Sequence, residues 1–319
     1  MEPRNRSLWI FIIVAVLMLC CCSLAIAATA MGLFGALPLD LGGFTTSERA
    51  RLERSFEVSG APSLQIDNFA GSVTVVAGGS GEITVIAVKK APLAANLDRI
   101  EVEISEREGG LVIKTKKPAT LSAASVNLEI TAPADTRLDL HNGAGSVTVQ
   151  GLHGGFQVDT GSGSVHLSDV SGQIDAHSGA GSIEMQDAEG SLKLDTGTGS
   201  LTLVNVAGEI DAHSGAGSIK VRDGRGQAVR FDTGTGSIDY DGQLQGDCRF
   251  ESGAGSITLR LPADLDVDVE LDTGMGTVGV GFPVDGRVTI REVQGVIGRG
   301  VDGSIYAHTG TGGIDLVRR

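Results

Sequence analysis

Apolar and polar residues alternate with period two from residue 63 onward. Ser63–Asp67, Ser72–Val76, Glu82–Val88, Arg99–Ser105, Leu111–Thr115 and Val126–Thr131 all show it, bounded by Gly, Asn or Pro. Such alternation marks strands with one buried face. No stretch after residue 55 repeats at 3.6, so the chain is predicted to be all-β.

From Leu138 the alternation becomes a repeat. Gly-x-Gly begins at Gly143, Gly161, Gly179, Gly197, Gly215, Gly234, Gly253, Gly274 and Gly310, in steps of 18, 18, 18, 18, 19, 19, 21 and 36. With the first glycine as position 0, positions +4 and +6 are apolar in every copy, from Val147/Val149 to Ile314/Leu316. So are −5 and −3, from Leu138/Leu140 to Ile305/Ala307. Position +9 adds Leu152, Val170, Ala188 and Val206. Five inward slots over two strands and a corner suit a coil that closes on its own core. The predicted fold is a single-stranded β-helix, or β-solenoid, with 18-residue coils. Counting the 36-residue step as two, Leu138–Arg319 holds about ten coils, a rod roughly 50 Å long. The alternative is an antiparallel β-meander or sandwich built of hairpins. Phe69-Ala70-Gly71-Ser72-Val73 reads as a degraded first copy. Residues 56–319 therefore form one repeat domain, irregular over 56–137 and regular over 138–319.

Leu8–Leu39 carries no charge. It exceeds the ~20 residues that span a bilayer, and Arg4 and Arg6 precede it. Residues 1–39 are expected to be a cytoplasmic tip and transmembrane helix, and residues 40–55 a polar linker with a helical turn near Ser47–Arg54. A signal peptide cleaved after Ala27 or Ala30 competes, but the apolar run is longer than the ~7–15 residues of a signal core. Both readings export the repeats.

The chain has 47 glycines, 4% aromatics and a net charge of −14. Setting aside Glu2, Arg4 and Arg6 leaves 23 basic and 38 acidic residues, a net of −15 for the exported part. That balance argues against nucleic acid and anionic headgroups as partners. Cys20, Cys21 and Cys22 lie in the apolar run, so Cys248 has no disulfide partner in the exported part and is expected in the core as an inert thiol.

Several motifs mimic active sites. Asp-Thr-Gly occurs at Asp159, Asp195, Asp232 and Asp272. Aspartic-protease chemistry needs two carboxylates sharing a proton. Here other copies hold His or Glu at that place, so turn chemistry is expected, with Asp and Thr bonding local backbone and Gly at positive φ. No Gly-x-Gly opens a helix or precedes Lys-Ser/Thr as a phosphate loop would. A calcium β-roll needs Asp two places after the second glycine, where this chain has Val165, Ile183, Leu201 and Ile219. His141, His153, His166, His177, His213 and His308 lack zinc-site spacing. No catalytic residue, cofactor or metal is expected. Position −2 alternates as His141, Asp159, His177, Asp195, His213 and Asp232, then breaks at Glu251 and Asp272. Either this is an electrostatic ladder that weakens when His loses its proton, or a 36-residue duplication without electrostatic purpose.

The apolar N-terminus, FEVSGAPSLQIDNFAGSVTVVAG (56–78), VNLEITAPADTRLDLHNGAGSVTVQGLHG (126–154) and the Gly-x-Gly-Ser series together resemble the DUF4097-type family. These are bacterial envelope proteins, often described as candidate adhesins with β-strand repeats. The resemblance implies a β-helical domain and no catalytic residues to transfer. The expectation is a single-pass protein of the bacterial cell membrane, its C-terminal domain extracytoplasmic. It would act as a structural or adhesin-like module binding envelope polysaccharide or an envelope protein. The alternatives are a polysaccharide-active β-helix enzyme and the calcium-binding β-roll. An enzyme needs long loops to wall a cleft. Only Val284–Gly303, where a corner near residue 292 fades, departs far from the period.

Overall fold

A computed structural model describes residues 48–79, 81–107 and 109–319. They are almost wholly strand, with one 3-10 turn at Ala94–Arg99. The repeats stack as parallel coils. Ile174 lies beside Leu192 and Leu192 beside Ile210, each an 18-residue step. Hairpin units would have paired antiparallel within themselves, so the meander alternative fails and the solenoid holds. The apolar slots explain the choice. Positions −5, −3, +4, +6 and +9 point into one narrow core, where Val165, Ile183, Leu201 and Ile219 are all fully buried.

Stack order departs from chain order at both ends. Ser63–Gly78 sits between the Gly110–Pro133 region and the coil Arg137–Gln150. Gly303–Arg318 sits between Gly246–Leu261 and Val267–Val280. The 36-residue step therefore hides no extra coil, and nine Gly-x-Gly coils stand where ten were expected. Val284–Gly303 instead supplies an antiparallel hairpin, Asp285–Val288 with Glu292–Ile297, laid on Val267–Met275.

Antiparallel strands also close the other end. Glu101–Arg107 pairs with Gly110–Lys116, Glu82–Ala91 with Ser125–Pro133, and Glu48–Glu57 with Glu82–Ala91. Charged terminal strands guard a sheet edge against further pairing. The expected linker over 40–55 is thus corrected from residue 48: ERARLERSFE is a strand. Its Leu52 and Phe56 face Ala87 and Ile83 and pack on the core, which a helical turn would not allow. The predicted transmembrane segment lies outside the described residues. Among those described, no helix is long and apolar enough to cross a membrane.

Between Phe231 and Phe250 the core widens for aromatics. Tyr240 stands 6.1 and 6.0 Å from their ring centroids. Position +9 is Gly224 in the coil below, and a methyl there would come within 2.7 Å of the Tyr240 hydroxyl. That hydroxyl donates to the Gln243 carbonyl at 2.6 Å. A small-to-large exchange between neighbouring coils thus keeps the core filled. At the last coil Val278 and Val280 are only half-buried, because no further parallel strand covers them.

Candidate functional site

The surface that recurs along the whole stack is the Gly-x-Gly corner, built from three ladders. The first is glycine itself. A methyl on Gly197 would stand 2.5 Å from the Gly179 carbonyl oxygen, backbone that cannot yield. Gly199 meets the same obstacle against Gly181 and also holds φ +153, a value L side chains rarely adopt. The motif is therefore required by how closely adjacent corners approach.

The second ladder points inward. Position −1 is Asn142 in the first coil and then Thr160, Ser178, Thr196, Ser214, Thr233, Ser252, Thr309 and Thr273 in stack order, each at most 2% exposed. From Ser178 on, each hydroxyl donates at 2.8–2.9 Å to the second corner glycine's carbonyl in the adjoining coil. Thr309 reaches Gly255 and Thr273 reaches Gly312, so these bonds follow the stack and not the sequence. This corrects the expectation of local turn bonding. The Thr of Asp-Thr-Gly clips one coil to the next.

The third ladder points outward and is longer than the sequence suggests. Glu103 pairs in register with Lys114, Lys114 with Asp67, and Asp67 with His141. His and Asp then alternate from His141 to Asp232. The imidazole Nδ1 atoms of His141, His177, His213 and His308 face a neighbouring carboxylate at 3.1, 3.7, 3.3 and 3.0 Å. The break expected at Glu251 and Asp272 is filled: His308 lies between them. His308 stands two places before Gly310, so its offset was readable, but its place in the stack was not.

Within this ladder Asp232 and Glu251 stack directly, and they do not make a protease dyad. Arg249 holds Glu251 through two bonds of 2.8 and 2.7 Å. That guanidinium keeps the Glu251 carboxyl below the usual carboxylate range. A dyad needs one carboxyl kept protonated, the opposite effect. Asp159, Asp195 and Asp232 have a His between successive members, and Asp272 stands between His308 and the hairpin's Glu292, which Arg287 pairs at 3.4 Å. The β-roll ligand positions are core residues, and burial pushes the buried Cys248 thiol up to about 11. Among the described residues no group of three or more His, Cys, Asp or Glu could hold a metal ion.

At the N-terminal end the corner forms a shallow groove of about 390 Å³. Asp67, Phe69, His141, Asp159 and His177 line it together with corner glycines. The Lys117 ammonium lies 5.3 Å from the Phe69 ring centroid.

No curated protein matches the chain significantly. Among solved structures, a candidate adhesin from Bacteroides fragilis is similar at 12% identity, covering 84% of this chain and 97% of its own, with a TM-score of 0.38. A candidate lipid binding protein from Parabacteroides distasonis shows 13% identity over 84% and 96%, with a TM-score of 0.32. A candidate cell adhesion protein from Clostridium sporogenes shows 12% over 85% and 100%, with a TM-score of 0.27. The sequence profile of the Toastrack DUF4097 family matches residues 62–302, well over half of the chain and most of its coils. The chain belongs to the Toastrack DUF4097 family.

Proposed function

We propose that this protein is a non-catalytic binding module of the bacterial cell envelope. Leu8–Leu39 anchors it in the cell membrane as a single-pass protein and holds the solenoid outside the cytoplasm. The observation that carries this reading is the corner ladder, which repeats from coil to coil without a loop to wall a catalytic cleft. The ligand we assign is envelope polysaccharide. Carboxylates and imidazoles at regular spacing suit a repeating, hydroxyl-rich polymer, and Phe69 offers an aromatic edge for a sugar ring. The lining glycines, without side chains, let such a polymer approach the backbone.

The region that most resembled an enzyme insertion, Val284–Gly303, closes the end of the stack as a hairpin and strap. The test is binding of the purified chain to arrayed envelope glycans, run beside hydrolysis assays on the same glycans. Retention without turnover is expected, weakened by Asp159→Asn with His141→Gln. Turnover of any glycan, or retention unaffected by the double substitution, would overturn the assignment. Edman sequencing of the membrane-fraction protein tests the anchor, which predicts that the N-terminus is retained.

A further inference from the structure

Residues 303–319 fill a slot in a stack that the chain has already passed. Gly303–Thr311 lies parallel between Gly246–Ala254 and Val267–Met275, and Ile314–Arg318 between Ile257–Leu261 and Val278–Val280. Without this coil its two neighbours would face one another across a gap of about 9.6 Å, twice the strand spacing. Ile305, Ala307, Ile314 and Leu316, all at most 1% exposed, fill the core of that gap. His308 separates Glu251 from Asp272, and Ser304 donates to Asp247 at 2.8 Å. Removing the coil would open two parallel edges and leave Glu251 and Asp272 facing one another across the gap.

A short strap, 298–302, leads from the hairpin into this coil. It carries Gly298 and Gly300 at φ +73 and +72. Asp266 folds it back. The Asp266 carboxylate accepts from the Arg299 and Val301 amides at 2.5 and 3.3 Å and from Arg299 Nε at 3.1 Å. Its carbonyl accepts from the Asp302 amide at 2.9 Å. Released and extended, five residues reach roughly 17 Å.

The same end of the stack carries exposed apolar side chains. Met275, Val288, Ile290 and Val301 are 59–71% exposed there. The charges among them are mixed: Asp285, Arg287, Arg291, Glu292 and Arg299. Two such ends can meet without the repulsion that the acidic remainder would impose.

We propose that Gly303–Arg319 is an exchange element, and that the slot between coils Gly246–Leu261 and Val267–Val280 accepts the same coil from a second copy of this chain. The contacts inside the slot are identical in the closed and exchanged forms. The balance is therefore set by the strap and by local concentration, as in domain swapping. Asp266 is the latch that favours the closed form, and exchange brings together the two apolar ends that the closed form leaves exposed.

The test mixes two full-length preparations in which Cys20, Cys21 and Cys22 are replaced by Ser. One carries Asp247→Cys and the other Ser304→Cys. Each chain has only one half of the in-register pair, so beyond random collision this disulfide forms when a coil has changed chains. A Thr148→Cys chain, from a remote coil, measures random collision. Exchange predicts a heterodisulfide at least about tenfold above that background, a ratio worth 1.4 kcal/mol. It should increase with protein concentration and increase again when both chains carry Asp266→Ala. The proposal is overturned if no heterodisulfide exceeds background in the Asp266-intact pair while one chain carrying both cysteines closes its disulfide internally. That closure shows the slot correctly formed, so the result does not depend on whether Asp266→Ala folds.

Discussion

Ser214 offers the sharpest energetic test of the corner. Its side chain is fully buried, and its hydroxyl donates to the Gly199 carbonyl of the adjoining coil at 2.9 Å. Ser214→Ala removes the donor, leaves almost no cavity and strands a buried carbonyl. Such a loss costs about 1–2 kcal/mol. For a domain of this size that lowers the melting temperature by roughly 2–8 °C. Ser214→Thr keeps the bond and is expected to lie near wild type, because Thr196 and Thr233 occupy the same slot in the coils on either side. Urea unfolding followed by circular dichroism measures all three chains, with exposed Ser191→Ala as the surface control. If Ser214→Ala unfolded at the wild-type midpoint, the hydroxyl ladder would not hold the coils together. If Ser214→Thr were as unstable as Ser214→Ala, packing rather than the bond would be at work.

Three further outcomes follow from other parts of the structure. Gly197→Ala drives a methyl against the Gly179 carbonyl and should cost about 3 kcal/mol or more, read as a fall in urea midpoint, whereas Gly79→Ala, with nothing within 4 Å, should not. Cys248 should resist alkylation in the native chain at pH 8 and react on unfolding, as read by peptide mass spectrometry, because burial holds its thiol near 11 and inaccessible. The Glu251 carboxyl is held low by Arg249, so its folded value lies below its unfolded one. That contribution is present above the ordinary carboxylate value and fades as pH falls through the lowered one. The stability gap between wild type and Arg249→Met should therefore narrow between about pH 6 and pH 3, from no more than about 1 kcal/mol given the exposure of the pair. A residual gap from Arg249 packed 4.2 Å over the Tyr306 ring should remain at every pH.

Much of the coil was legible because one physical constraint repeats. Period-two alternation found the inward slots, and all of them through Leu271 are core. Cys248 followed from its slot alone. What escaped has two causes. Position −1 is polar, and a buried hydroxyl looks like a turn residue until a partner carbonyl in the next coil is seen. The second cause is order. Coils whose strands carry interchangeable patterns say nothing about which lies beside which, so Gly303–Arg318 reads as the end of the stack when it is internal. The strand Glu48–Glu57 was obscured for a different reason: as a terminal edge strand it carries Glu48, Arg49, Arg51, Glu53, Arg54 and Glu57, and such charge reads as a linker.

The uninterrupted corner depends on His308 standing between Glu251 and Asp272. Two cysteine pairs in the full chain, freed of Cys20–Cys22, test this most directly. Glu251→Cys with His308→Cys joins adjacent strands, about 4.8 Å apart and within disulfide reach. Glu251→Cys with Asp272→Cys would have to span about 9.6 Å, beyond it. An internal disulfide in the first chain and none in the second is predicted. Closure of the second and not the first would mean that the coils stack in chain order and that the His308-bridged ladder does not exist.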